Sequence, residues 1–521
     1  MGHGTYLGKK EPESTWFRTM RLTDCTKNGT WRKLQWQRHY FFVVAVVVVV
    51  AAYSPVLNTF FIKDDLALLS SAHIELPEVF EQSWLGGFYR PISELFYGIQ
   101  YQIFGLTPWP YHLLSVFFHI VATGFVFLIA QELIGSRKQA LGAALLFGLH
   151  PLHTECVSWI SGQMSLLAGV CGLGFLYGLM TLKTTPVSLI GLLLVACLGV
   201  GTYESFMVIP GVWIVLWRFS GRNLWWLVGP IASFVLLLGA RSIVVGLGTG
   251  PYEINPSLSS GLLNIGYYCY LLLGGTAVGG RIINYSLQEL LTADNFFAVF
   301  PPLFVVSTLL FVAYIVVFLK HARKNLHRTK SIAKYFFLLT VSISLTLLPA
   351  FFLDSRPRRI AYIAIAAYSI FLTVAFQQFR FHFPEKRQFS ALVFAALCTI
   401  FVSTTLSRNF DWRHMGSLEK TMLNTMVSNL KAFTCQQIVV DVPDLVGDAL
   451  FFHSTSAEFW LQAKEGTHVP VRHAYETQER IKSNLKTCFI SVDQTSSEIY
   501  KLPHLPSPPN FYQGRNWIIA P

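Results

Sequence analysis

Asp64 and Asp65 stand side by side in Phe61-Ile62-Lys63-Asp64-Asp65-Leu66, directly after the first long apolar run. Adjacent carboxylates at a membrane surface are costly to keep, and one of them can take a proton from a hydroxyl as a general base. The competing reading is a solvated helix N-cap, a position that Asp suits. A second group is His150-Pro151-Leu152-His153-Thr154-Glu155. Histidines three apart share a helix face and, with Glu155, supply the donor types of a metal site. Pro151 breaks a helix between them, so a polar network lining a cavity fits the pattern better. The third group is Asp354-Ser355-Arg356-Pro357-Arg358-Arg359. An arginine fork makes two parallel hydrogen bonds and so suits a phosphate, with a lipid-headgroup anchor as the alternative. Arg90, in Tyr89-Arg90-Pro91, and Glu204, in Thr202-Tyr203-Glu204, also fall at outer ends of apolar runs. Together these residues outline an acid-and-arginine site at one membrane face, beside lipid, which suits a lipid-linked phosphate. No Walker loop or GxGxxG lies in a strand-to-helix setting, which disfavours a soluble nucleotide donor.

The elements that must position these groups are membrane helices. Of 521 residues, 53% are hydrophobic and 13% charged, against about 25% charged in a soluble domain. That balance excludes disorder, collagen and a disulfide scaffold, and leaves a polytopic α-helical membrane protein. Aromatics at 15% fit it, since Trp and Tyr favour bilayer interfaces. The net charge of +12 is better read as basic cytoplasmic loops than as a nucleic-acid surface. Eight cysteines are scattered without a CxxC pair, so no zinc ribbon or redox motif is indicated.

Residues 1–38 read as a basic cytoplasmic tail and 39–406 as the transmembrane domain, opened by an anchor at about 40–61. Further spans are expected near 111–133, 139–152, 158–182, 186–203, 205–217, 223–243, 297–319, 335–353, 360–378 and 389–406. The glycine-rich stretch 257–280 reads as re-entrant or interfacial. Basic segments at Arg137-Lys138, Lys183, Arg218–Arg222, Lys320–Lys334 and Arg380–Arg387 then share the side of the N-terminus. The result is about 11 crossings, with the N-terminus cytoplasmic and the C-terminus extracytoplasmic. Two larger segments face outward: the first loop, 62–110, and the tail, 407–521. The tail shows a helical period at Leu418, Met422, Met426 and Leu430, then short strand-like runs at Gln437–Val442 and Cys488–Val492. A small α/β domain is expected there, with a Cys435–Cys488 disulfide as an option in an oxidising compartment. Asn284-Tyr285-Ser286 is an outward-facing glycosylation sequon on this topology.

The order of several motifs resembles the GT-C glycosyltransferases, and within them the protein O-mannosyltransferase-like group that carries TPR repeats after its membrane helices. The motifs are Asp64-Asp65, Tyr89-Arg90-Pro91-Ile92, Phe104-Gly105-Leu106, Tyr111-His112-Leu113, the stretch from His150 to Ile160, Arg359 with Tyr362, and Ser407-Arg408-Asn409-Phe410-Asp411-Trp412-Arg413. They run in family order from residue 61 to about 413. The chain departs from the family at Gly162-Gln163-Met164-Ser165, where a Gly-Arg-x-Asp pattern is usual. It departs again at Tyr203-Glu204, in place of Lys-Glu, and at Arg358-Arg359, in place of Glu-Arg, and the TPR array is missing.

The resemblance implies an integral membrane enzyme of the endoplasmic reticulum or of a bacterial inner membrane. Such an enzyme moves a sugar, typically mannose, from a polyprenyl-phosphate carrier to a hydroxyl acceptor, typically protein, on the extracytoplasmic side, with inversion. Asp64 or Asp65 would be the catalytic base. Arg90, His150, His153, Glu155, Glu204, Arg356, Arg358, Arg359 and Tyr362 would surround the substrates, and Mg²⁺ or Mn²⁺ held against the phosphate is an option. The alternative from another class is a non-catalytic relative, a membrane scaffold or assembly subunit, for which the altered Gly162–Ser165 stretch speaks. A transporter ranks third, because no pseudo-repeat of broken helices is visible.

Overall fold

The computed structural model describes residues 43–246 and 358–473, each with short breaks, the strand Thr487–Ser491, and isolated positions between Asn264 and Leu347. The basic tail 1–38, the spans expected at 297–319 and 335–353, the stretch 257–280 apart from isolated positions, Asn284, Arg356 and Cys435 lie outside the described residues.

Helices are numbered over the described residues. The first, α1 (Val43–Asn58), ends in a 3-10 turn and leads into the acidic motif. The first loop carries α2 (Asp65–Ser70), α3 (Leu76–Glu81) and α4 (Pro91–Phe104). Then come α5 (Trp109–Ile134), α6 (Arg137–Gly148), the short α7 (Thr154–Ser158), α8 (Gln163–Thr181), α9 (Pro186–Thr202), α10 (Ile209–Ser220) and α11 (Trp225–Val244). After the gap follow α12 (Tyr362–His382) and α13 (Arg387–Phe433), and α14 (Ser454–Glu465) lies among the C-terminal strands. Among the described residues, five helical segments are long and apolar enough to cross a membrane: Trp109–Ile134, Ile160–Thr181, Trp225–Val244, Arg358–Arg380 and Arg387–Ser428. With the shorter apolar helices Val43–Asn58, Pro186–Thr202 and Glu204–Ile214, they make a polytopic helical membrane protein.

Local chemistry sets the helix ends. Pro91 and Pro186 occupy first-turn positions, where a missing N–H costs nothing, and the Thr185 side chain caps α9 by accepting from the Ser188 amide. Gly135 closes α5 in the left-handed conformation. Along α5 the inward stripe is Tyr111, Ser115, His119, Ala122, Val126 and Ala130, all buried, while Leu113 and Phe117 are exposed. This inverts the soluble pattern: polar groups face the bundle and apolar groups face lipid. The helix α5 packs against α6 and α8, and α12 packs against α6 and α8.

The helix α13 runs unbroken from Arg387 through Phe433, so no element boundary falls at 406/407. Within the polar run Ser407–Arg413 the helix continues, and two of its polar side chains, Arg408 and Asn409, are held inside. Arg408 donates to the Pro151 carbonyl at 2.9 Å, and Asn409 donates to the Ala52 carbonyl and accepts from Ser158. Beyond it, strands Val471–His473 (β4), Gln437–Asp441 (β1) and Thr487–Ser491 (β5) form a parallel sheet in that order, with β2 (Leu445–Val446) and β3 (Ala449–Leu450) as a separate antiparallel pair.

Candidate active site

The two aspartates do different things. Asp65 is 1% exposed, and both of its oxygens are occupied. Oδ2 accepts from the Ile62 amide at 2.9 Å, and Oδ1 accepts from the Ser161 amide at 2.9 Å and the Ser161 hydroxyl at 2.7 Å. Burial, reinforced by the neighbouring Asp64 charge, pushes the Asp65 carboxyl up to about 7, while the hydrogen bonds from Ser161 and Ile62 pull the other way. Asp64 is partly open. It stands at the N-cap position of α2, yet its carboxylate makes no capping hydrogen bond. It accepts instead a long 3.3 Å hydrogen bond from the Ser161 hydroxyl. Asp65 is thus the anchor of the motif and Asp64 is its open carboxylate.

Ser161 belongs to the loop between α6 and α8, and that loop is pinned on several sides. Tyr97 of α4 donates to the Ile160 carbonyl at 2.8 Å. Gln163 is fully buried, accepts from Gln100 and donates to the Tyr111 carbonyl and the Ser115 hydroxyl. The loop also folds tightly on itself, since a Cβ on Gly162 would lie 2.5 Å from the Glu155 carbonyl oxygen. One short segment therefore carries Ser161 at the acid end and Glu155 at the arginine end.

Glu155 accepts from Arg359 Nη1 at 3.0 Å and from the Arg358 amide at 3.2 Å. Arg359 Nε donates to the Tyr203 hydroxyl at 3.1 Å, and its guanidinium lies 5.2 Å from the Trp159 ring centroid. The other face of this arrangement is Arg90, 4% exposed, which makes a forked pair with Glu204: Nη2–Oε2 at 2.8 Å and Nε–Oε1 at 3.0 Å. The Arg90 guanidinium also stacks on Phe88 and Tyr203, at 3.9 and 4.7 Å from the ring centroids. Tyr203 touches both arginines and joins the two ion pairs into one network. Each of the two guanidinium groups is paired with a carboxylate.

The structure therefore gathers Asp64, Asp65, Glu155, Arg358, Arg359, Arg90 and Glu204 at one end of the bundle. It places His150, His153 and Tyr362 elsewhere, and Arg356 lies outside the described residues. His150 and His153 are fully buried in an aromatic layer with His119, Phe147 and Tyr362. The His150 Nε2 is 3.2 Å from the Leu272 carbonyl and its Nδ1 accepts from the Leu152 amide. Pro151 starts a 3-10 turn, as a break between the two histidines requires. Tyr362 is 2% exposed and its hydroxyl meets His119 Nδ1 at 2.9 Å. Among the described residues no group of three His, Cys, Asp or Glu side chains is arranged to hold a metal ion. Ser161, Tyr203 and Trp159 were not singled out as site residues by type or spacing, because their roles arise only when distant segments meet.

No family model matches the chain. The chain is 44% identical over 85 residues to the protein O-mannosyl-transferase Tmtc1 of Drosophila melanogaster, covering 16% of this chain and 10% of that protein. It is 31% identical over 134 residues to the human protein O-mannosyl-transferase TMTC2, covering 23% of this chain and 16% of that protein. The matched stretches thus span only 10% and 16% of these relatives' own lengths. Among solved structures, ArnT from Cupriavidus metallidurans bound to undecaprenyl phosphate aligns with a TM-score of 0.44 and 13% identity over 87% of this chain and 92% of that one. The Archaeoglobus fulgidus oligosaccharyltransferase AglB, in complex with an inhibitory peptide and a dolichol-phosphate, aligns with a TM-score of 0.43 and 11% identity over 85% of this chain and 64% of that one. Over the stretches matched in sequence, the chain's resemblance to the protein O-mannosyltransferases is shown.

Proposed function

We propose that this chain is a membrane glycosyltransferase that moves a sugar, mannose in the first instance, from a polyprenyl-phosphate carrier to a hydroxyl acceptor, a protein side chain. The observation that carries the reading is the division of labour in the acid pair: a buried, fully hydrogen-bonded Asp65 holding an open Asp64. The sequence matches to protein O-mannosyltransferases support it. The acceptor site faces the extracytoplasmic side, with the N-terminus cytoplasmic, in an endoplasmic reticulum or bacterial inner membrane.

In the reaction, Asp64 takes the proton from the acceptor hydroxyl as its oxygen attacks the anomeric carbon from the face opposite the phosphate. The bond from that carbon to the phosphate oxygen breaks, the sugar inverts, and polyprenyl phosphate leaves with the electron pair. The leaving phosphate is already weakly basic, so it needs charge stabilisation more than a proton donor. Arg359 and Arg358 supply that charge beside Glu155, and Arg90 with Glu204 holds Tyr203 in place behind them. His150, His153 and Tyr362 keep the bundle packed beneath the site and touch neither substrate. A Mg²⁺ or Mn²⁺ carried on the donor phosphate would meet Asp64, since both oxygens of Asp65 are engaged; such an ion would be held mainly by phosphate and water. No step above is routed through it.

A second reading, a scaffold without catalysis, draws on the pairing of both arginines with carboxylates. Incubating the purified protein with polyprenyl-phosphate sugars and a hydroxyl-bearing peptide separates the two. An enzyme releases polyprenyl phosphate and glycosylates the peptide, whereas a scaffold leaves the donor intact.

The acid limb of the turnover profile follows from Asp65. Below about pH 7 its carboxyl takes up a proton, gives up an acceptor position and turns the Ser161 hydroxyl away. Activity should therefore fall as pH drops through about 7. In Ser161→Ala the ionised carboxylate loses a hydrogen bond, which raises its pKa further. The limb should move to higher pH, and a limb unmoved by the substitution would detach Ser161 from the acid pair.

A further inference from the structure

The long helix α13 reaches back to the acidic motif. Glu419, on the far part of α13, is 1% exposed, and its Oε2 accepts a 2.8 Å hydrogen bond from the Lys63 amide. Lys63 has φ +54° and is the only non-glycine among the described residues with a positive φ. That region disfavours an L side chain, so the conformation persists only where its surroundings hold it. The next residue is Asp64. Three further contacts, one from α13 and two from α14, press on the residues flanking the turn. Gly416 lies so close that a Cβ would sit 2.6 Å from the Phe60 nitrogen. On α14, Ser456 accepts from the Ala67 amide at 3.1 Å, and Trp460 packs edge-on against Phe60.

We propose that Glu419 is a positioning residue for the acidic turn: its carboxylate fixes Lys63 in the left-handed conformation and so aims Asp64 at the acceptor hydroxyl. This rests on the transferase reading above and extends it from the membrane helices to the C-terminal segment. Without an acceptor for its amide, Lys63 relaxes toward ordinary φ. The peptide between Ile62 and Asp64 then rotates, and the Asp64 carboxylate moves while Asp65 stays on Ser161.

The test uses the full chain in lipid nanodiscs and has two readouts, hydrogen exchange of the 60–68 segment and steady-state kinetics with a polyprenyl-phosphate sugar. In Glu419→Ala, exchange should quicken by about 10-fold or more, the mark of a locally loosened backbone. The kcat should fall by about 10–100-fold with donor KM nearly unchanged, the pattern of a misaimed catalytic group. Glu419→Gln keeps an acceptor oxygen and should behave as wild type. Glu419→Asp keeps the buried charge but falls a methylene short, and should reproduce the Ala pattern even if Ala fails to assemble. Adding Lys63→Gly to Glu419→Ala should restore most of kcat, because glycine takes positive φ without steric cost.

Wild-type exchange in Glu419→Ala and Glu419→Asp overturns the inference. So does a rise in KM alone, or a loss of kcat that Lys63→Gly leaves untouched. Asp64→Asn in the same assay keeps the two claims apart: loss there with no effect at Glu419 removes only this inference. A wild type inert toward every donor removes the transferase reading, and the exchange pattern still decides whether Glu419 holds the turn.

Discussion

Asp64→Asn is expected to lower donor turnover by about 10²–10⁴-fold, the usual worth of a general base, while the protein keeps its thermal midpoint. The partly open Asp64 has a single long hydrogen bond from Ser161, so an amide of the same size disturbs little. Asp65→Asn should behave otherwise. Its carboxylate accepts three hydrogen bonds, and an amide turns one acceptor into a donor facing another donor. The cost is about 1–3 kcal/mol of folding stability, with turnover lost as a consequence.

The pH dependence gives an independent check on Asp65. Its pKa in the fold lies above the ordinary value of 3.8, at about 7. Its contribution to stability is therefore fully present below about 3.8 and is lost as pH rises through about 7. The Asn variant has no such proton to lose, so the gap between the two thermal midpoints should narrow as pH rises across that window. Thermal scans of both proteins at several pH values measure it, and a constant gap would mean that Asp65 does not titrate as its burial requires.

The second large effect belongs to Glu204. Removing it by Glu204→Ala leaves the Arg90 guanidinium, 4% exposed, without its forked carboxylate. Breaking a wholly buried pair this way costs about 3–5 kcal/mol. The Glu204 side chain keeps 36% exposure, so the expected loss is smaller, about 2–3 kcal/mol. The double variant Arg90→Met with Glu204→Gln removes the stranded charge and should recover part of the loss, because a long apolar side chain still packs between Phe88 and Tyr203. Thermal midpoints of the single and double variants decide it; a double variant no better than Glu204→Ala alone would show that packing, not charge, sets the cost.

Much of the helical frame was legible in the residues. Apolar runs near 111–133, 158–182 and 186–203 became Trp109–Ile134, Ile160–Thr181 and Pro186–Thr202, because span length and proline or glycine ends are local signals. The continuity of the last helix through its polar run was not legible. Arg408 and Asn409 look like a membrane boundary, but their partners Pro151, Ala52 and Ser158 lie hundreds of residues away, so the helix passes straight through. The same reason separates the candidate-site residues that sequence pointed to from those it missed. Carboxylates and arginines at helix ends announce themselves by type. Ser161 is an ordinary serine until the loop lays it on Asp65, 96 positions away, and Glu419 is a charged tail residue until α13 brings it to Lys63, 356 positions away. His150 and His153 show the converse: residue types with rich chemistry that the fold lays in an aromatic layer.

On the proposed reading, Asp64 drives transfer from a lipid-phosphate donor. The most direct test is release of free polyprenyl phosphate from polyprenyl-phosphate mannose in the presence of a serine- or threonine-bearing peptide, comparing wild type with Asp64→Asn in the same nanodiscs. The expected result is steady release by the wild type, one glycosylated peptide for each polyprenyl phosphate freed, and a loss of about 10²–10⁴-fold in the variant. Equal release by both proteins, or donor left intact by a folded wild type across the panel of sugars, would contradict it.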